Sequence, residues 1–269
     1  MIGAIIGDIA GSTYEFNNIK TKRFPLPAPG SCYTDDSLMT IAVARALMRA
    51  GNGGFSAALT EEMREMARRY PHPMGGYGGR FESWLTSPEP KPYGSYGNGS
   101  AMRVSPCGEA ATSLEQALVL ARQSSEITHN HPQGIKGAQA VASAVYLARA
   151  GAGKKAIRDL METHFYPLKR TVDEIRPFYS FDTTCQGTVP QAITAFLESV
   201  SFEDALRTAV SLGGDSDTLA AITGAIAWPF YAQNGMDGAM RRLRAIAMAL
   251  LPRTLRSIVD EWEGRYGIC

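Results

Sequence analysis

Apolar residues along this chain recur at the three-and-four spacing of a helix, and no window alternates convincingly with a period of two. Leu243, Ile246, Ala247 and Leu250 fall at i, i+3, i+4 and i+7, as do Leu255, Ile258, Val259 and Trp262. That spacing predicts one buried face on each of two helices. Leu38, Ile41, Ala42 and Ala46 mark a third such face. Ser201 followed by Asp204 reads as a near capping box for a helix that stops at Gly213. Without strands there is no sheet to build, so the expected fold class is all-α, with ten or more helices. The 269 residues, 45% of them hydrophobic, are enough for one buried core, and the expected organisation is a single unit over residues 1–269.

Two stretches break the helical pattern. Residues 71–108, from PHPMGGYGGRF to PEPKPYGSYGNGSAMRVSPCG, hold Gly, Pro and Tyr at a density that reads as a long loop, and long loops in compact units are usually functional. Residues 163–187 read as a second irregular segment. Charge points to a small-molecule partner: 27 basic residues against 26 acidic ones, interspersed, give no basic patch for nucleic acid and none for a membrane surface. The arginines of 241-RRLRAIAMALLPRTLR-256 alternate with core positions and are expected on solvated faces. Cys32, Cys107, Cys185 and Cys269 form no CxxC pair, so reduced thiols in the cytoplasm are expected. The opening MIGAIIGDIAG lacks a basic lead, carries Asp8 and is too short to cross a bilayer, so neither a signal peptide nor a membrane anchor is expected. The expected oligomeric state is a monomer.

The chemistry concentrates in acids at helix starts. In 213-GGDSDTLAAITGAIAWPF-230 two aspartates flank Ser216 and precede Thr218, although one side-chain oxygen suffices to cap a helix. The stretch 31-SCYTDDSLMTIAVARAL-47 repeats the theme with Thr34, Asp35 and Asp36. Either cluster alone is explained by an acidic cap on the positive end of a helix dipole. Two in matching contexts point instead to convergence, which would gather four carboxylates and two hydroxyls in a site needing cations. Two divalent ions balance that charge, and all-oxygen donors favour Mg²⁺, Mn²⁺ or Ca²⁺ over zinc. In 7-GDIAGSTYEFNN-18, Asp8 sits among apolar neighbours and is expected to be buried and hydrogen-bonded, whereas Glu15, at the turn, is expected to face a cleft.

Further on, 93-YGSYGNGSAMRVSP-106 reads either as a plain solvent loop or as a glycine loop whose Gly97 and Gly99 let amides approach an anion. His129 and His131 precede a small-residue helix beside Pro132 with no local acid, which suits hydrogen bonding better than a metal pair. His72 and His164 have no supporting partners and are expected to be structural or exposed.

Taken in order, GDIAGSTYEF, YTDDSLMT, GNGSAMR, THNHPQGIKGA and GGDSDTLAAITGAI closely resemble the motifs of the ADP-ribosylglycohydrolases and span residues 7–226. The resemblance implies a compact orthogonal helical bundle with a binuclear Mg²⁺ or Mn²⁺ centre at the base of an ADP-ribose cleft. It implies Thr34, Asp35, Asp36, Asp215, Asp217 and Thr218 as metal ligands, and Glu15 as an acid that approaches the metals and can act in catalysis. It implies the segment Gly97, Asn98, Gly99, Ser100, Ala101, Met102 and Arg103 as the diphosphate holder, and His129 as a substrate contact. Ser100 stands where some relatives have glycine, which bears on the choice of acceptor. The expected reaction hydrolyses the bond between ADP-ribose and an acceptor such as a protein side chain. Glu15 or a carboxylate at the metals, Asp36 or Asp215, would be the base and charge stabiliser. Rival readings are a non-catalytic ADP-ribose binder or crystallin-like protein on the same scaffold, and a two-metal phosphohydrolase.

Overall fold

The computed structural model describes residues 1–50 and 54–267. Cys269, expected as a reduced thiol, lies outside the described residues. Among them are fifteen α-helices and no sheet, only the isolated bridges Thr34 to Met74 and Gly97 to Thr184. The fold class is the all-α bundle that the periodicity predicts.

The fold is organised around two small-residue helices. Every residue of Ile2–Gly11 is buried, and the helix packs along Ser216–Ala232. Gly3, Gly7 and Gly11 repeat at a spacing of four, so they share one face of the first helix. A Cβ on Gly7 would stand 2.0 Å from the Ala220 carbonyl oxygen, one on Gly3 2.2 Å from that of Gly224, and one on Gly11 2.3 Å from that of Ser216. Backbone thus meets backbone, and the order of these contacts makes the pair antiparallel. The C-terminal end of the first helix therefore arrives at the N-terminus of the second, which brings the 12–15 turn beside Asp215 and Asp217. Gly7→Ala is expected to cost about 3 kcal/mol or more, because neither backbone can retreat from a packed core. Urea unfolding measures it, and an unchanged midpoint would mean that the two helices are not in backbone contact.

Asp8, mid-way along the first helix, fixes the other acidic helix. Its carboxylate accepts from the Thr34 amide at 2.9 Å, the Thr34 hydroxyl at 2.8 Å, the Ser37 amide at 3.1 Å and the Ser37 hydroxyl. A residue of one helix thereby caps the start of Asp35–Ala50, satisfying amides that a helix N-terminus leaves open. Burial pushes the Asp8 carboxyl up to about 6 in spite of those four bonds. The buried, hydrogen-bonded Asp8 expected from its neighbours is present.

Other expectations divide. Leu38, Ile41, Ala42 and Ala46 are fully buried, as are Leu243, Ala247, Leu255, Val259 and Trp262 to within a few per cent. Leu250, the last residue of helix Gly238–Leu250, is 37% exposed, and Leu251 beside it enters the core at 2%. Ser201 caps Phe202–Val210 by accepting from the Asp204 amide, and Gly213 follows the helix in the left-handed region at φ +70°. The stretch 71–108 is not one long loop. It contains helices Gly79–Thr86, Gly99–Met102 and Ser105–Ala110, the first of them anchored by buried Phe81, Trp84 and Leu85 at helical spacing. The segment 163–187 likewise holds Val172–Ile175, started by a Thr171 and Glu174 capping box. His131 caps Pro132–Arg149 by accepting from the Gln133 amide, His72 and His164 are exposed, and Arg241, Arg242, Arg253 and Arg256 face solvent. Among the described residues no helix is long and apolar enough to cross a membrane.

Candidate active site

The first helix, the Asp35 helix and the Ser216 helix end on the floor of a cleft of ≈ 330 Å³. That volume lies in the range of small-molecule sites. Carboxylate oxygens of Glu15, Asp215 and Asp217 come within 4.8 Å of one another. Asp36 accepts from the Thr218 hydroxyl at 3.0 Å, joining the two acidic motifs across 182 residues of sequence, and Asp35 also lines the cleft. Thr34 is buried beneath them. Its hydroxyl donates to Asp8 and accepts from the Asp36 amide at 3.1 Å, which leaves one lone pair free. Ser216 turns away from the acids, its hydroxyl reaching the Gly214 carbonyl at 3.3 Å.

Crowding controls the electrostatics. Burial first, and neighbouring acids second, hold the carboxyls of Asp35, Asp36 and Asp217 well above the ordinary range. Glu15 is pushed up to about 7 by burial and then by Asp215 and Asp8. Among the described residues no lysine or arginine forms an ion pair with Glu15, Asp35, Asp36, Asp215 or Asp217. Crowded acids without basic partners either keep their protons or take up positive charge from a bound cation.

Two elements that sequence reasoning did not single out place Glu15. The Asn18 side-chain amide donates to the carbonyls of Tyr14 at 2.7 Å, Glu15 at 2.8 Å and Gly214 at 2.9 Å, and its oxygen accepts from the Gly214 amide at 2.7 Å. It staples the Glu15 turn to the residue before Asp215. A Cβ at Gly75 would stand 2.9 Å from the Glu15 carboxylate, which would have to shift, and the φ of +79° at Gly75 is what calls for glycine there. The only advance signal was the functional reading of the 71–108 segment, which also supplies Tyr77, Arg80 and Tyr93 to the cleft wall.

The expected diphosphate segment splits into parts with different tasks. The Gly97 amide is already bonded to the Ser95 hydroxyl at 3.2 Å and the Asn98 amide to the Thr183 carbonyl at 2.7 Å. Among the described residues the amides of Gly99 and Ser100 have no protein acceptor. Asn98 reaches the acids instead, donating to Asp215 at 2.7 Å and to the Thr188 hydroxyl at 3.0 Å. Neither Gly97 nor Gly99 lies in the left-handed region. Their lack of a side chain makes room for His129, whose Nε2 would be 3.2 Å from a Cβ at Gly99. The Ser100 hydroxyl donates to the Gly134 carbonyl at 2.8 Å and Ala101 is fully buried, so these two side chains face away from the cleft. Met102, Arg103 and His129 line it. The Arg103 guanidinium, however, donates to the Ser124 carbonyl and the Thr128 hydroxyl, each at 2.8 Å. Burial, with Arg103 and Arg80 nearby, holds His129 well below the usual histidine range, so the ring is neutral.

The profile of the ADP-ribosylglycohydrolase family matches residues 1–228, which takes in every motif that meets at this cleft. The chain belongs to the ADP-ribosylglycohydrolase family. Among relatives, it is 27% identical to ADP-ribosylhydrolase ARH3 of Bos taurus, over 86% of this chain and 83% of that one. It is 27% identical to ADP-ribosylarginine hydrolase Tri1 of Pseudomonas putida (strain GB-1), over 88% and 70%. It is also 27% identical to the ADP-ribosyl-dinitrogen reductase glycohydrolase of Rhodospirillum rubrum, over 86% and 83%. A solved structure titled "ADP-ribosylglycohydrolase-related protein complex" matches its fold with a TM-score of 0.65 at 24% identity, covering 93% of this chain and 95% of that one. Membership in the ADP-ribosylglycohydrolases supports hydrolysis of ADP-ribose conjugates as the reaction class.

Proposed function

We propose that this chain hydrolyses the glycosidic bond between ADP-ribose and an acceptor and releases ADP-ribose, with two divalent cations, Mg²⁺ or Mn²⁺, held by Thr34, Asp35, Asp36, Asp215, Asp217 and Thr218. The observation that carries this reading is the meeting of both acidic motifs on one cleft floor without a basic partner among the described residues. The donors are hydroxyl and carboxylate oxygens, a hard set suited to these ions. When bound, such ions orient ribose hydroxyls and make a water more acidic.

The remaining tasks fall to the chain. Glu15, with its carboxyl raised toward neutrality, is suited to take a proton from the attacking water. Departure of the acceptor leaves positive charge on the sugar, which the carboxylates of Asp36 and Asp215 stabilise. The open amides of Gly99 and Ser100, with the His129 ring beside them, supply neutral donors for the diphosphate. The same reading takes residues 1–269 as one catalytic unit, a monomer working in the cytoplasm, where the free thiols Cys32, Cys107 and Cys185 persist.

The test is mass spectrometry of a panel of conjugates, carrying ADP-ribose on arginine, serine, a nucleobase or an acetyl group, before and after incubation with the protein and Mg²⁺. At least one conjugate is expected to yield free ADP-ribose and intact acceptor. AMP with an acceptor that still carries ribose phosphate would identify a phosphohydrolase, and a protein that binds ADP-ribose but turns over none of the panel would be a binder.

A further inference from the structure

Behind the cleft wall, three buried side chains form a hydrogen-bonded chain that ends at the cleft. The Arg103 guanidinium, 1% exposed, donates to the Thr128 hydroxyl at 2.8 Å, and that oxygen lies 2.7 Å from Nδ1 of His129. Both ends of the His129 backbone are fixed, its amide donating to the Ser125 carbonyl at 2.7 Å and its carbonyl accepting from the Ser125 hydroxyl at 3.0 Å. The ring itself is placed by its contacts, with Nδ1 against the Thr128 hydroxyl and Nε2 toward Gly97 and Gly99.

Counting hydrogens decides which nitrogen carries the proton. A threonine hydroxyl has one hydrogen and two lone pairs, and an arginine N–H can only donate. One lone pair of Thr128 is thus committed to Arg103. If Nδ1 carried the proton, it would occupy the second lone pair, and the hydroxyl hydrogen would be left buried without an acceptor among the described residues, a costly arrangement. If Nδ1 is bare, the hydroxyl donates to it, the Thr128 hydroxyl and Nδ1 are both satisfied, and the proton sits on Nε2, which faces the cleft.

We propose that Thr128 is a positioning residue, held by Arg103, that fixes His129 as the neutral Nε2–H tautomer, so that the ring presents a hydrogen-bond donor to the cleft. This rests on the proposed function in one respect: the acceptor of that N–H is an oxygen of the ADP-ribose diphosphate, next to the open amides of Gly99 and Ser100. On this account the Arg103 guanidinium, 1% exposed and bonded to Ser124 and Thr128, acts through Thr128. A depressed histidine pKa agrees with a neutral ring, but the tautomer follows from the geometry alone.

The protein has four histidines, so ¹⁵N-labelled imidazoles are separable by long-range ¹H–¹⁵N correlation. Wild-type His129 is expected to show a pyrrole-type Nε2 and a pyridine-type Nδ1, and the reverse pattern would overturn the proposal without any variant. In Thr128→Val, which keeps the shape and removes the hydroxyl, the tautomer preference is expected to weaken and ADP-ribose affinity by calorimetry to fall about tenfold. Thr128→Ser restores both to within about twofold of wild type. A Val variant that stays folded by circular dichroism and keeps the wild-type tautomer and affinity would also overturn it. Absence of ADP-ribose binding in the wild-type protein would count against the proposed function, while the ring spectrum would still decide the tautomer.

Discussion

Asp217→Ala is expected to lower turnover by at least ~10³-fold, about 4 kcal/mol of transition-state stabilisation, while raising the melting temperature of the metal-free protein. Both directions have one cause. The Asp217 carboxyl is buried against Asp215, Asp36 and Glu15 and sits well above its usual range, so as an anion it opposes folding. Among the described residues its only hydrogen-bond donor is the Thr218 amide at 3.0 Å, a minor loss. Asp36→Ala is expected to remove activity to the same extent with a smaller gain in stability, because it strips the Thr218 hydroxyl of its acceptor. Steady-state rates at saturating Mg²⁺ and differential scanning calorimetry in EDTA measure the two effects. Wild-type turnover in either variant would remove that residue from the proposed metal set. An Asp217 variant that is inactive but less stable would mean that the carboxylate is a structural cap.

What was legible in the sequence is what repeats or exceeds need. Helices are visible because Leu38, Ile41, Ala42 and Ala46 keep a helical spacing that only a buried face explains. The acid pairs are visible because Asp35 with Asp36, and Asp215 with Asp217, each contain one anion more than a cap uses. Asp8 is visible because a carboxylate among isoleucines must find donors. What stayed hidden depends on a partner distant in sequence. Gly3, Gly7 and Gly11 read as a glycine-rich helix until Ala220, Ser216 and Gly224 stand opposite them. Asn18 is one polar residue in a turn, and its role exists only once Gly214 is beside it. In the Gly97 to Arg103 segment, adjacency misled. One helical turn from Gly99 to Met102 swings Ser100 and Ala101 into the interior while keeping Asn98 and Met102 at the cleft, so neighbours in sequence do not share a surface.

Removing divalent ions with EDTA is expected to abolish turnover, and adding Mg²⁺ or Mn²⁺ to restore it, with zinc a poor replacement because the proposed donors are all oxygen. The stripped protein is expected to show an unusual pH dependence as well. Asp8 and Glu15 have folded-state carboxyls raised to about 6 and about 7, whereas in the unfolded chain both return to the ordinary range near 4. Between those limits the native state holds more protons than the unfolded one, so stability falls as pH rises from ~4 to ~7. Asp8 alone, fully buried and raised from 3.8 to about 6, accounts for about 3 kcal/mol of that loss. Cations favour the deprotonated acids and reduce the slope. The rise in melting temperature on adding Mg²⁺ is therefore expected to be larger at pH 7.5 than at pH 5, at equal ion concentration. Calorimetry at the two pH values tests the linkage. A metal-free preparation, verified by elemental analysis, that keeps full turnover would remove the ions from the mechanism, and an equal Mg²⁺ effect at both pH values would mean that the acids on the cleft floor do not bind them.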